Sequence, residues 1–263
     1  MNFPIGFAFC DVSVMPVRVE PFHTAEQSTQ LLFGEKAEIL DRNNRDWVRI
    51  SCGWDGYEGW CKESQLRKVQ KKEFRKPTKY LAATHKDRLV LPSGDLFLPL
   101  GAELNGAQGG NIHTLAGAGK FKGKKLNVKD LILDCESLKA AAMQYVHAPY
   151  QWGGRSVSGI DCSGLTQMAF KLCNHVIPRD ASQQAKEGKL VDFLQNARCG
   201  DLAFFDDKDG KIVHVGLLLD NQTIIHATDT SGRVVVDRID QGGIISIALK
   251  KRTHNLRVVK RIM

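Results

Sequence analysis

The sequence predicts a mixed fold in which short strands come first and a helix followed by a β-hairpin comes later. Three patterns in the 263 residues support this prediction. Within the first 67 residues, short apolar or alternating runs stand between turn residues, as in a small β-barrel. After Asp161 to Gly164, apolar residues recur with the spacing of one helix face. Two strand-like runs then flank the polar turn Asp220 to Gln222.

One or two small barrels are expected before the helix. The first occupies residues 1–67, and its candidate strands are Val12 to Val19, Gln30 to Leu40, Asp46 to Cys52 and Gly56 to Lys62. A basic stretch from Arg67 to Lys79 contains Pro77 and a run of charges, which is typical of a solvated linker. Strand-like runs around Pro92 to Gly94 predict a second, divergent barrel within residues 68–128.

Composition and charge bear on whether the protein binds nucleic acid, a membrane or another copy of itself. The formal net charge of +8 suits an anionic partner. Only Phe74 in the basic stretch has a ring that stacks on a nucleic-acid base, and no nucleic-acid-binding motif accompanies it. We therefore expect no nucleic-acid partner. No run approaches the roughly 20 apolar residues that a membrane span needs, so we expect no membrane partner. We also expect a monomer.

Two features bear on the compartment of the protein. The cysteines are odd in number and have no C-x-x-C spacing, which predicts neither a disulfide framework nor a zinc site. Residues 1–10 lack a positively charged start, and Pro4 interrupts their apolar run, so they make a poor signal peptide. We expect a reducing cytoplasm, or the periplasm if a signal segment has been removed, and neither a metal nor a cofactor. The seven cysteines are Cys10, Cys52, Cys61, Cys135, Cys162, Cys173 and Cys199.

Cys162 is the first candidate catalytic residue, because it lies among small and polar residues at the predicted start of a helix. The apolar residues that follow recur with helical spacing, at Leu165, Met168, Ala169 and Leu172. Unpaired backbone N–H groups and the positive end of the helix dipole stabilise a thiolate at such a position. We therefore expect a lowered pKa for Cys162 and a nucleophilic sulfur.

His214 and His226 are the candidate partners of the thiol. They lie in the strand-like runs Ile212 to Leu219 and Thr223 to Ala227, which predict a hairpin. With the turn centred near residue 220 or 221, the two imidazoles face each other directly across the strands. One imidazole then orients the other, which is the arrangement of base and orienting residue that nucleophilic catalysis needs.

These residues and the blocks around them resemble NlpC-type cell-wall cysteine peptidases. The resemblance covers about residues 130 to 263, so we assign residues 129–263 to the catalytic domain. It implies a papain-like α+β fold, in which the helix of the nucleophile packs against an antiparallel sheet that carries the histidines. It also implies that Cys162 is the nucleophile, His214 the general base and His226 the residue that orients His214. The matching blocks are Ala148 to Gly154, Asp161 to Gly164, Arg179 and Asp180, Gly200 to Phe205, His214 to Gly216, and His226.

Thiolate attack on an amide produces an oxyanion, which needs hydrogen-bond donors that are already in place. The N–H group of Cys162 is one candidate donor, and the hydroxyl of Tyr150 is another. Trp152 either packs beneath the active-site loop or contacts the substrate. His214 is expected to return the proton to the leaving amine, and water to complete the cycle.

The first barrel resembles the bacterial SH3-like domains that are fused to such peptidases, through Gln30 to Glu35 and Asp55 to Trp60. In architecture the whole chain then resembles the γ-D-glutamyl-L-diamino acid endopeptidases. This resemblance implies hydrolysis of murein tripeptides or tetrapeptides between the γ-carboxyl of D-glutamate and the diamino acid. It also implies a requirement for a free N-terminal L-alanine and a role in recycling released wall peptides.

The same resemblance implies which side chains bind this substrate. Asp161 is expected to bind the ammonium group of the alanine, with Tyr57 and Glu26 contributing from the barrel. Alternatively, Tyr57 packs beside Trp60 and Glu26 is an exposed loop charge. Ala181 stands where many relatives carry a hydroxyl group, so one of the contacts that such relatives make to the glutamate has no donor here. The other substrate-side residues are Ser163, Arg179, Asp180 and Ser182.

The sequence is compatible with three other functions. An NlpC-like acyltransferase would pass the acyl group to an acceptor other than water. A general peptidoglycan hydrolase would not require the free alanine. A catalytically silent wall-binding protein would use the barrels as ligand modules, but a pure binder has no need of Cys162, His214 and His226 together.

Overall fold

The computed structural model describes residues 3–43, 45–108 and 110–263, and the chain divides into two compact units. The first unit spans Met1–Leu131 and the second spans Ile132–Met263. In both units the regular structure is mostly antiparallel strand, and the helices are short. Within the described ranges, no helix is long and apolar enough to cross a membrane.

The first unit begins with a seven-stranded antiparallel sheet. Its strands are β1 (Gly6–Cys10), β2 (Val14–Arg18), β3 (Gln27–Leu32), β4 (Lys36–Arg42), β5 (Trp47–Cys52), β6 (Glu58–Lys62) and β7 (Leu66–Val69). They lie in the spatial order β3-β2-β6-β5-β4-β1-β7. Alternate side chains of these strands form one apolar core, which includes Met15, Leu31 and Ile50.

The run predicted as one strand from Gln30 to Leu40 forms two strands in the structure. β3 ends at Leu32 and β4 begins at Lys36, because the chain turns at Gly34. Gly34 has a φ of 74°, a left-handed conformation that favours glycine. The Oε2 of Glu35 accepts the N–H of Leu32 at 2.8 Å and so stabilises the same turn.

Part of the basic stretch from Arg67 to Lys79 packs on this sheet. β7 supplies its first residues, and a short helix, α1 (Lys71–Phe74), follows. The ring of Phe74 lies 4.8 Å from the ring of Phe7, and the Nζ of Lys36 lies 5.8 Å from the centre of the Phe74 ring. The expectation of a purely solvated linker is therefore wrong for this part of the stretch.

A second group of strands completes the first unit. Its strands are β8 (Tyr80–Ala82), β9 (Arg88–Leu91), β10 (Gly94–Phe97), β11 (Ala107–Gln108), β12 (Asn111–Thr114), β13 (Gly117–Lys122) and β14 (Lys125–Asn127). Five form a sheet in the order β10-β9-β13-β12-β11, and β14 pairs with β8. Their apolar core includes Leu89, Leu98 and Ile112, and it extends to Phe33 in the turn between β3 and β4.

The second unit combines a six-stranded antiparallel barrel with short helices. Its elements are α2 (Cys135–Met143), β15 (Arg155–Ser156), β16 (Gly159–Ile160), α3 (Cys162–Lys171), α4 (Ala181–Gln184), β17 (Lys189–Val191), β18 (Leu202–Asp206), β19 (Ile212–Leu218), β20 (Thr223–Thr228), β21 (Arg233–Asp240), β22 (Gly243–Ser246) and β23 (Lys251–Arg261). β18 to β22 pair in sequence order, and β23 pairs with both β18 and β22, which closes the barrel. β17 pairs with β23, and β15 pairs with β16.

All ten residues of α3 are buried, although the sequence predicted a helix with only one apolar face. The helix packs against α2 and against strands β19 and β20. Its polar residues find partners inside the unit: the hydroxyl of Thr166, which has one hydrogen to donate, lies 2.9 Å from the carbonyl oxygen of Ser163 and 2.8 Å from the Oε1 of Gln184. The helix is therefore linked to α4 by a side-chain contact as well as packed against the barrel strands.

Cys135 and Cys199 form a single disulfide, which the sequence did not indicate because its cysteine pattern predicted no disulfide framework. Cys135 begins α2, and Cys199 lies just before β18. The fold brings together two residues that are 64 positions apart, which neither the odd cysteine count nor the spacing reveals. The free cysteines, all buried, are Cys10, Cys52, Cys61, Cys162 and Cys173.

Candidate active site

Cys162 is the first residue of α3, where the sequence predicted the start of a helix. Asp161 caps this helix, because its Oδ1 accepts the N–H of Gly164 at 2.7 Å. Such a cap satisfies a backbone donor that has no partner within the helix and fixes the direction of the entering chain. Cys162 is 5% exposed, so its sulfur is held in a largely dehydrated place.

The pKa of Cys162 differs from the expectation. Burial, together with the negative charge of Asp161, raises the pKa of the thiol to about 12. Hydrogen bonds from the backbone of Val215 and Ser163, and the charge of Arg179, lower the pKa but do not outweigh burial. The prediction of a lowered pKa is therefore wrong for the resting site. The thiol is neutral and needs a base to take its proton.

The imidazole of His214 is placed to be that base. His214 directly precedes Val215, whose backbone hydrogen-bonds the sulfur of Cys162. The Nε2 of His214 lies 2.9 Å from the Nδ1 of His226 on the neighbouring strand, and both residues are buried. The structure therefore pairs the two imidazoles that the sequence singled out, and it places His214 next in the chain to a residue whose backbone contacts the sulfur of Cys162.

The hairpin register differs from the predicted one by two residues. Leu217 pairs with Ile225, whereas the expected register placed it opposite Thr223. A shift of two residues keeps every side chain on its face, because side chains alternate along a strand. His214 and His226 are therefore diagonal neighbours rather than directly opposite, and their rings still meet.

A carboxylate continues the line of the two imidazoles. Asp237 on β21 is 3% exposed, and its Oδ2 lies 3.3 Å from the Nε2 of His226. Its Oδ1 accepts the N–H of Ile247 at 2.8 Å. Asp237 is absent from the residues predicted from the sequence. The pattern that could have indicated it is an acidic residue directly after the apolar run Val234 to Val236.

A third imidazole lies against the base. The ring of His254 on β23 is stacked on that of His214, with centroids 4.1 Å apart and an interplanar angle of 20°. Burial lowers the pKa of His254 to about 4. Burial, reinforced by the nearby His226 and His254, also lowers the pKa of His214 well below its usual range. His214 is thus neutral at pH 7 and has a lone pair available for a proton.

Three clustered histidines could in principle bind a metal ion. Within the described ranges, His214, His226 and His254 form a group in which one ring nitrogen of each residue lies within 4.8 Å of the others. Sequence spacing did not indicate this cluster. The lone pairs of an imidazole lie in its ring plane, so the stacked rings of His214 and His254 aim theirs nearly side by side and not at one point. The cluster therefore suits proton transfer better than tetrahedral metal coordination.

Asp161 and Arg179 form a buried ion pair at the start of α3. Two nitrogens of Arg179 donate to the carboxylate of Asp161 at 3.0 Å and 2.6 Å. The hydroxyl of Ser163 accepts from Arg179 at 2.7 Å and donates to Asp161 at 3.3 Å, and the N–H of Gly153 donates to Asp161 at 2.7 Å. A substrate ammonium that binds Asp161 would therefore have to share an oxygen with these donors.

Tyr150 and Trp152 lie in different environments. Burial, together with the nearby Cys162 when its thiol is ionised and the charge of Asp161, raises the pKa of Tyr150, so its hydroxyl stays protonated and is able to donate a hydrogen bond. Trp152 is 58% exposed. This exposure favours substrate contact over packing beneath a loop, and the contact itself stays a prediction.

The remaining predicted site residues divide between the two units. In the second unit, Asp180 is the partly buried residue before α4, and Ser182 is exposed on α4. In the first unit, Tyr57 packs on the core of the seven-stranded sheet, and Glu26 is exposed just before β3. Roles for these four side chains in substrate binding stay predictions.

Comparisons with known proteins match both parts of the chain. A model of the NlpC/P60 family matches residues 147–253, and a model described as the bacterial dipeptidyl-peptidase SH3 domain matches residues 17–66. A gamma-D-glutamyl-L-lysine dipeptidyl-peptidase of Bacillus subtilis (strain 168) is 32% identical over 225 residues, which cover 79% of this chain and 74% of the relative. Dipeptidyl-peptidase 6 of Lysinibacillus sphaericus is 25% identical over 246 residues, which cover 84% of this chain and 88% of the relative.

A solved structure shares the fold over nearly the whole chain. The crystal structure of an NlpC/P60 family protein from Bacillus cereus ATCC 10987 superposes with a TM-score of 0.81 at 20% identity. The superposition covers 97% of this chain and 99% of that one. The expected fold is therefore confirmed: a mixed α+β peptidase domain follows an SH3-like, strand-rich region.

Proposed function

This chain belongs to the NlpC/P60 family of cysteine peptidases, and we propose that it hydrolyses murein peptides between the γ-carboxyl of D-glutamate and the following diamino acid. The observation that best supports the chemistry is that the sulfur of Cys162 is hydrogen-bonded by the backbone of Val215, the residue next to His214, whose imidazole is paired with that of His226. The choice of bond is supported by the relatives, since two of them are named gamma-D-glutamyl-L-lysine dipeptidyl-peptidase.

The reaction follows from the protonation states of the resting site. His214 takes the proton of the Cys162 thiol as the sulfur attacks the γ-carbonyl carbon, and a sulfur–carbon bond forms. The N–H of Cys162 and the hydroxyl of Tyr150 donate to the oxyanion. His214 then gives the proton to the leaving amine of the diamino acid as the carbon–nitrogen bond breaks. Water then attacks the thioester carbon as His214 takes its proton, the carbon–sulfur bond breaks, and the proton returns from His214 to the sulfur as the dipeptide leaves.

We also propose that the substrate has a free amino end, as in tripeptides or tetrapeptides released from the wall. The name dipeptidyl-peptidase, which several relatives carry, describes removal of two residues from such an end. For L-Ala-γ-D-Glu-L-Lys, the removed dipeptide is L-Ala-D-Glu. Recognition of the ammonium group by Asp161, with Tyr57 and Glu26, stays a prediction from the sequence.

The test compares L-Ala-γ-D-Glu-L-Lys with its N-acetylated form at equal concentration, with products followed by mass spectrometry. We expect L-Ala-D-Glu and lysine from the free peptide. Acetylation removes a charge that the site is expected to bind, so kcat/KM should fall by roughly thirtyfold to several thousandfold. The Cys162→Ala variant serves as the blank for contaminating peptidases.

Three outcomes would contradict the proposal in different ways. Equal rates for the two peptides would indicate a general wall hydrolase. A product in which an added amine carries the dipeptide, at the expense of hydrolysis, would indicate an acyltransferase. No reaction with either peptide would remove the proposed substrate altogether.

A further inference from the structure

We propose that Asp237 is a positioning residue that selects the proton arrangement of both catalytic histidines. Asp237 lies on β21, next to the strand of His226, and its carboxylate bridges the Nε2 of His226 at 3.3 Å and the N–H of Ile247 at 2.8 Å. Both oxygens are thus held in place. The proposal rests on the peptidase function proposed above, because it concerns the base of that reaction.

The hydrogen bond between Asp237 and His226 has one proton, and the chemistry of the two groups decides which of them carries it. An ionised carboxylate only accepts hydrogen bonds. Burial works against ionisation of Asp237, but the hydrogen bonds from His226 and Ile247 together lower its pKa below the usual value. The Nε2 of His226 must therefore carry the hydrogen of this bond. In a neutral imidazole the other nitrogen is then an acceptor, so the Nδ1 of His226 carries no hydrogen.

The tautomer of His226 in turn determines the tautomer of His214. The Nδ1 of His226 and the Nε2 of His214 are 2.9 Å apart, so one of them must donate. Because the Nδ1 of His226 accepts, the Nε2 of His214 carries the hydrogen. The Nδ1 of His214 is then the unprotonated nitrogen, and it is the one left to receive the proton of Cys162. Asp237 thereby determines which nitrogen of His214 is the base, through the hydrogen bond between Asp237 and His226 and the one between His226 and His214.

Without this carboxylate, the opposite arrangement becomes available. The Nδ1 of His226 would donate to the Nε2 of His214, and the Nδ1 of His214 would carry a hydrogen. In that state His214 has no free lone pair for the thiol, and Cys162 stays neutral. The same carboxylate also favours the positive charge that His214 acquires during the reaction, because it lies at the far end of the same chain of hydrogen bonds.

The variant Asp237→Asn separates this role from a merely structural one. An asparagine keeps the shape of the side chain, and its oxygen still accepts the N–H of Ile247. Its NH₂ group then faces the Nε2 of His226 and donates to it, which reverses the proton arrangement. Asp237→Ala removes the side chain and leaves both arrangements available. If Asp237 has only a structural role, Asp237→Ala should lose more activity than Asp237→Asn. If Asp237 sets the proton arrangement, Asp237→Asn should lose more activity than Asp237→Ala.

We expect kcat/KM on the tripeptide to fall by about 10²- to 10⁴-fold in Asp237→Asn. We expect a smaller fall in Asp237→Ala. Asp240→Asn is the matched control, since Asp240 lies on the same strand but is exposed and paired with Arg252. Thermal unfolding of each variant checks the fold.

A second measurement uses no peptide and reads the protons directly. In protein with ¹⁵N-labelled histidine, the nitrogen chemical shifts should show hydrogen on the Nε2 of both His214 and His226, and Asp237→Asn should move it to the Nδ1 of both. The proposal is overturned if the unmodified protein carries hydrogen on the Nδ1 of His226, or if Asp237→Asn is as active as the parent or more active than Asp237→Ala. If the parent does not cleave the tripeptide, the proposed function fails, and the nitrogen shifts still decide the role of Asp237.

Discussion

Replacing Cys162 by alanine should lower kcat/KM on the murein tripeptide by at least about 10⁴-fold, because no other group in the site can form the thioester. The change removes one sulfur at the first residue of α3 and leaves the cap from Asp161 to Gly164 intact. We therefore expect the thermal unfolding temperature to change little. Steady-state rates on the tripeptide and a melting curve measure the two effects separately.

Cys173→Ala is the matched control for this substitution. Cys173 is also a free, buried cysteine, and it lies just beyond the other end of α3. Its variant should keep the parent kcat/KM, even if the cavity it leaves lowers stability. A Cys162→Ala protein that still releases L-Ala-D-Glu at a comparable rate would rule out Cys162 as the nucleophile.

Replacing His214 by alanine should lower kcat/KM by roughly 10³- to 10⁵-fold. The resting thiol of Cys162 has a raised pKa, so without a base it stays neutral at pH 7 and attacks slowly. His226→Ala should cost less, because His226 holds the ring of His214 and does not itself take the proton of the thiol.

Carbamidomethylation of Cys162 by iodoacetamide at pH 7 tests the same cause without a peptide. We expect mass spectrometry to show slower labelling of Cys162 in His214→Ala than in the parent protein. His113→Ala, which changes an exposed histidine of the first unit, is the control and should label like the parent. Equal labelling in all three proteins would mean that His214 does not activate the thiol.

The position of Cys162 could be predicted from local sequence, but its pKa could not. Small and polar residues followed by helical spacing place the thiol at a helix start, because capping depends on neighbours in the chain. The pKa depends instead on dehydration of the thiol and on Asp161. Burial of all ten residues of α3 is a property of the packed unit, so local sequence did not reveal it.

The hairpin illustrates a prediction that was right in its consequence and wrong in its register. The centre of the turn sets which residues are opposite, and a polar turn of several residues leaves that centre open. The error of two residues kept His214 and His226 on one face. Asp237 and His254 were missed because they reach the site only when β21 and β23 take their places in the closed barrel.

The disulfide between Cys135 and Cys199 was missed for the same reason. Cysteine counting detects frameworks of many bridges, but it gives no information on a single pair among seven thiols. The start of α2 and the segment before β18 become neighbours only in the folded second unit. Long-range contacts of this kind, rather than local propensity, account for most of what the sequence left unpredicted.

The proposed reaction requires that Cys162 attacks the γ-carbonyl carbon of an L-Ala-γ-D-Glu unit. The most direct test uses an analogue of this dipeptide in which the γ-carbonyl carries a chloromethyl group that alkylates a thiol held next to it. We expect one analogue per protein, attached to Cys162 in the peptide map, together with loss of tripeptide cleavage and protection by excess tripeptide. A protein that keeps its activity while the analogue is attached to another residue would contradict the claim.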